Sequence, residues 1–137
     1  MKELEVHFNG HKVTHKEILD LATVKNKPQI KFNIEKGKYY TIIMVDPDAP
    51  SKSNPINKHW LHWLIINNNE TITDFEPSNP PENSGLHRYY ICLYEQKGKI
   101  QVSKNAYERP KFPIQDFIQK YDLTLVKCVM YQTELKN

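Results

Sequence analysis

Carboxylates, imidazoles and ring N–H and O–H groups gather at two places in this sequence. Residues 46–63, DPDAPSKSNPINKHWLHW, set Asp46 and Asp48 among three prolines and then bring His59, Trp60, His62 and Trp63 in quick succession; His87, Arg88 and Tyr89 form the second group. Three chemistries fit such residues: a stiff surface turn, a metal site, or the rim of a pocket for a charged ligand. As a turn, the prolines fix φ and aspartate bonds its own backbone. As a metal site, Asp46, His62 and His87 would be a two-His, one-carboxylate set for a metal-dependent enzyme. That spacing is unspecific, because His59 and His62 would point to opposite faces of a strand. Ser51 lies in a turn with no marked histidine partner, so no catalytic residue, metal or cofactor is assigned.

The elements that must hold these groups alternate with period two. Leu4-Val6-Phe8, Ile30-Phe32-Ile34, Tyr40-Ile42-Met44, Trp60-His62-Leu64-Ile66, His87-Tyr89-Ile91-Leu93 and Leu123-Leu125 on through Val129 and Tyr131 read as strands. Asn9-Gly10, two Lys-Gly-Lys triplets, Asn67-Asn68-Asn69 and the proline-rich 76–84 read as turns and loops. Thr14 to Glu17 has the form of a capping box before a short helix. Residues 113–121 predict a better helix, with Pro113 at its first position and Ile114, Phe117, Ile118 and Tyr121 on one face. A single, mainly antiparallel β domain over 1–137 with one or two peripheral helices follows.

On these strands Trp60 and His62 share a face with Leu64 and Ile66, and His87 and Tyr89 share one with Ile91 and Leu93. Asp46 continues the Tyr40-Ile42-Met44 face. Two imidazoles, an indole, a phenol and a carboxylate then meet at one end of an apolar core, which is the form of a pocket mouth. Asp48 is better placed to pair with Arg88 on the other face, and a cis Ala49-Pro50 bond would suit the reversal.

Composition narrows the class. With 39% hydrophobic and 26% charged residues, the 137-residue chain is globular, and its +3 charge is scattered rather than gathered in a basic stripe. No nucleic-acid motif is present, no apolar run approaches the roughly 20 residues of a membrane span, and no apolar leader follows Met1. A cytoplasmic protein, expected to be a monomer, follows. Cys92 and Cys128 each sit in an apolar run and read as two reduced core thiols rather than a disulfide. Asn69-Glu70-Thr71 fits a glycosylation sequon but reads as a turn after a strand.

The motif residues resemble the phosphatidylethanolamine-binding protein family, which includes the Raf kinase inhibitor protein. The likeness runs through Asp46-Pro-Asp-Ala-Pro-Ser-Lys52, Trp60-Leu-His62, Pro80-Pro81, Gly85-Leu-His-Arg-Tyr89 and Leu93-Tyr-Glu-Gln96, and extends from Leu4 to Glu134. It implies a large central antiparallel sheet with a smaller second sheet, and an anion pocket lined by Asp46, Pro50, Trp60, His62, Pro80, His87 and Tyr89. That pocket would accept phosphate or phosphorylethanolamine-type head groups. His62, His87 and Tyr89 would donate to phosphate oxygens, and Asp46 would orient a histidine or accept from an ammonium. Binding would then tighten as the histidines charge below about pH 6.5.

The chain departs from the family pattern at Lys52 for arginine, Leu61 for a second histidine and Asn79 for glycine, and in stopping short of a C-terminal helix. These differences imply a more open and less selective pocket. The resemblance thus implies a non-enzymatic binding protein that regulates a kinase or other signalling partner, with a lipid head-group carrier or docking protein as an alternative.

Overall fold

The computed structural model describes residues 4–136. The alternating segments form β1 (Leu4–Phe8), β2 (His11–Lys12), β3 (Glu17–Ile18), β4 (Gln29–Phe32), β5 (Tyr39–Asp46), β6 (Trp60–Ile66), β7 (Glu70–Thr73), β8 (His87–Gln96) and β9 (Thr124–Thr133), with helix α1 (Ile114–Lys120) before β9. A small sheet runs β2-β1-β4 and a large one β3-β9-β8-β5-β6-β7. Neighbours are antiparallel except the short β3 beside β9. Among the described residues the fold is mainly β, with a large and a small sheet and one α-helix.

The near-continuous apolar run of β5 has a physical cause: this strand is covered on both faces. Tyr40, Ile42 and Met44 join Tyr89, Ile91, Val129 and Tyr131 against Leu4, Val6 and Phe8 of the small sheet. Ile43 and Val45 join Leu64, Ile66 and Tyr94 beneath Ile114 and Phe117 of α1.

Two expectations about faces fail, both at bulges. In the β5–β6 pair Met44 lies opposite Trp63 and Val45 opposite Leu61, leaving His62 as an extra residue. A one-residue insertion reverses the phase beyond it, so Leu64 and Ile66 pack on the α1 side rather than sharing a face with Trp60 and His62. In β9 the register jumps from Lys127 to Leu125 opposite Leu93 and Tyr94. Leu123 therefore goes to the α1 side and Leu125 is left exposed, while Val129 and Tyr131 face β1.

The capping-box contact forms, the Thr14 amide donating to the Glu17 carboxylate at 2.9 Å. No α-helix follows it: Glu17 and Ile18 pair with Tyr131 and Gln132, and a single 3-10 turn comes later at Leu21–Val24. Helix α1 appears as expected but begins one residue later, with Pro113 as its N-cap and Ile114 and Phe117 buried. Asn67 and Asn68 take left-handed φ of 50° and 72° in the β6–β7 hairpin, conformations that asparagine tolerates, and the sequon at Asn69 lies on this turn.

The cysteines correct the expectation of separate thiols. Cys92 and Cys128 face one another in the β8–β9 register and are joined as a disulfide, with Cα atoms 4.1 Å apart. Each lies in an apolar run as read, but only the register brings them together. A reducing compartment inferred from free thiols loses that support. No helix of the described residues is long and apolar enough to cross a membrane.

Candidate ligand-binding site

Strand β5 lies between β6 and β8, so its final residue meets the first residues of one neighbour and the His87 end of the other. Asp46 pairs with Trp60, and the bulge turns His62 toward Tyr89, whose ring it meets edge-on at 5.3 Å. Asp46, Pro50, Trp60, His62, Pro80, His87 and Tyr89 all line one cavity of about 670 Å3. Lys25, Asn57 and Glu76 also line it. Sequence reasoning missed these three because each lies outside the alternating segments, in a turn or loop that carries no periodic signal.

Asp46 is almost fully buried and held at both oxygens. Oδ1 accepts from the Asp48 amide at 2.7 Å, an Asx turn enforced by the proline-rich segment, and Oδ2 pairs with His87 Nδ1 at 2.8 Å. His87 Nε2 lies 2.9 Å from Ser84 Oγ. Serine, imidazole and carboxylate therefore stand in line, an arrangement the sequence concealed because Ser84 reaches His87 only through a turn. Its hydroxyl donates to the Pro81 carbonyl at 2.7 Å, and Ser84 is not among the residues that line the cavity. Ser84 acts as a clamp on the turn and on the ring of His87.

Asp48 and Arg88 take the structural roles expected of them. The guanidinium donates through Nε (3.0 Å) and Nη2 (2.8 Å) to the two carboxylate oxygens, and the Arg88 amide adds a third bond of 2.8 Å. Burial alone would raise the Asp48 pKa, but the Arg88 bonds outweigh it and hold the carboxyl below its ordinary range. The Ala49-Pro50 bond is cis as expected, and Lys58-His59 is cis as well.

His62 is anchored from the other side. Its Nδ1 donates to the Glu76 carbonyl at 2.7 Å, while Glu76 Oε1 accepts from the Trp60 indole at 2.7 Å and Oε2 approaches Arg109 at 3.4 Å. Arg109 donates further to the carbonyls of Leu61, His62 and Asp74, strapping residues 74–76 over β6. Burial pushes the His62 pKa below its ordinary value, against the Glu76 carbonyl bond and the charges of Glu76 and Asp46. Below it Tyr89 stacks on Tyr131 at 5.2 Å, and Tyr131 shares a 2.5 Å hydrogen bond with Ser78. Burial, before the nearby Asp46 charge, raises the pKa of Tyr89 well above the ordinary phenol value, which keeps its hydroxyl a donor.

A cavity with apolar walls and a few fixed polar atoms suits a small polar molecule. Among the described residues no group of three His, Cys, Asp or Glu is arranged to hold a metal ion; Asp46, His62 and His87 are close, but both Nδ1 atoms are spent on protein acceptors.

Comparison with known proteins gives one consistent result. The family model described as "Phosphatidylethanolamine-binding protein" matches residues 8–132. "Putative odorant-binding protein A5" of Drosophila melanogaster is 32% identical over 73% of this chain; the match spans 54% of that relative, about half its length. Among solved structures, a phosphatidylethanolamine-binding protein from Plasmodium vivax aligns with a TM-score of 0.81 at 24% identity, covering 98% of this chain and 86% of its own. The carboxypeptidase Y inhibitor, solved with its cognate proteinase, aligns at 0.79 and 24%, covering 97% and 83%. At such identities these two structures speak for the fold alone.

Proposed function

Since this chain belongs to the phosphatidylethanolamine-binding protein family, we propose that it is a non-enzymatic binding protein whose cavity holds phosphate or a phosphorylethanolamine-type group. The observation that carries this reading is convergence: side chains from β5, β6, β8 and residues 76–81 meet around about 670 Å3 of space, within the roughly 300–1,000 Å3 of small-molecule sites. Asp46 has carboxylate lone pairs left for an ammonium, Tyr89 offers a hydroxyl to an oxyanion, and Trp60 with Pro50 and Pro80 forms a wall for the head group. The reading extends to regulation of a protein kinase or other signalling partner on family membership alone.

An NMR titration with phosphorylethanolamine, on wild type and His87→Ala, tests the site. Saturable shifts clustered at Asp46, His62, His87 and Tyr89, lost in a variant whose spectrum otherwise stays dispersed, are the expected outcome. An unshifted wild-type spectrum at millimolar ligand would overturn the proposal.

A further inference from the structure

The cavity wall is richer in committed donors and free acceptors than histidines at an anion site would suggest. His62 spends its Nδ1 proton on the Glu76 carbonyl, so the neutral ring offers Nε2 as a lone pair. Both nitrogens of His87 are engaged, by Asp46 and Ser84, and the Trp60 N–H is committed to Glu76. The carboxylates Asp46 and Glu76 and the ammonium of Lys25 line the same cavity. The other donors that line the cavity are Lys25, the Asn57 and Asn79 amides and Tyr89, whose hydroxyl also interacts with Ser78.

A fully ionised oxyanion set against this wall meets the Asp46 carboxylate and the His62 lone pair, and both repel it. An oxyanion that carries a proton meets two acceptors instead. Resting on the phosphate-binding role proposed above, we infer that the cavity selects a singly protonated phosphate monoester, whose P–O–H donates to His62 Nε2 while its other oxygens accept from Tyr89 and Lys25. It discriminates against sulfate, which has no proton to donate near neutral pH.

The groups that face His62 are Asp46 on β5, His87 and Tyr89 on β8, Glu76 on the strap, and Arg109 behind it. Burial lowers the His62 pKa from its ordinary value, so above about pH 6.5 this ring is neutral and the proton that passes between it and the phosphate is the ligand's own, with a second pKa near 6. Binding still tightens as pH falls, as the sequence suggested, but through the ligand's proton and not through charging of His62.

The test uses the intact wild-type chain with methyl phosphate and with sodium sulfate, each titrated between pH 5.5 and 8 by calorimetry, together with nitrogen NMR of the imidazoles. At pH 7 the free protein should show His62 Nε2 as an unprotonated nitrogen. Methyl phosphate affinity should fall by up to about tenfold per pH unit above pH 6. Sulfate should bind about ten- to a hundredfold more weakly at pH 6, the worth of one hydrogen bond to a charged partner. Equal affinities with parallel pH profiles, or a protonated His62 Nε2 at pH 7, would overturn the inference while leaving the anion site standing. Binding of neither ion would overturn both this inference and the reading beneath it.

Discussion

Asp48 shows what a buried carboxylate demands of its surroundings: three hydrogen bonds from Arg88 offset its loss of water. Arg88→Ala would leave that charge uncompensated and should lower stability by about 3 kcal/mol in urea denaturation, with Arg88→Lys recovering only part because an ammonium lacks the fork. His62 has a pH sensitivity of the same sign as Asp48, although here it is the neutral form that burial favours. Its folded pKa is lowered, so as pH falls below about 6.5 the unfolded chain takes up a proton before the folded one does. Its contribution is complete above that pH and declines below it, and the half-buried His59, also lowered, acts in the same sense. Urea midpoints measured from pH 7.5 down to 5 should fall in wild type and fall less steeply in His62→Gln.

At the scale of elements, the bulge at His62 is the device that matters, since it lets one strand present His62 to the cavity and Leu64 to the α1 core. Helix α1 covers that second core mainly through Phe117, which is 1% exposed and packs on Phe112, Tyr107 and Tyr121. Phe117→Ala should cost about 3–5 kcal/mol in denaturant unfolding, with little change in ligand affinity because the cavity lies on the other face of the large sheet. The β8–β9 pair is tied covalently across a separation of 36 residues. Denatured protein should titrate with no free thiol, and reduction should lower stability by about 2–4 kcal/mol. Two thiols titrating in the freshly purified protein would show the pair open.

For the whole molecule, the outer surface and the cavity differ in character: the chain is +3 overall, yet Asp46 and Glu76 line the site with Lys25. Ligand should therefore be recognised by fixed hydrogen bonds more than by net charge. Phosphorylethanolamine at a hundred times its Kd should raise unfolding free energy by about 2.7 kcal/mol, read as an upward thermal shift that Asp46→Asn reduces. Much of this molecule was legible before any coordinates. Alternating residues and turn chemistry act over a few positions, so β1, β4, β5, β6, β8, β9 and α1 followed from local pattern, and with the family motif so did the seven residues around the cavity, whereas the short β2, β3 and β7 did not. The sequence by itself determined which side chains stand at the strand ends. Only the tertiary structure decided that Cys92 meets Cys128, that Leu64 turns away from His62, that Ser84 and the Glu76 carbonyl hold the rings of His87 and His62, and that Lys25 and Asn57 reach the cavity. Those outcomes depend on register, bulges and loop paths that bring distant residues within hydrogen-bond range, and no short-range pattern encodes them.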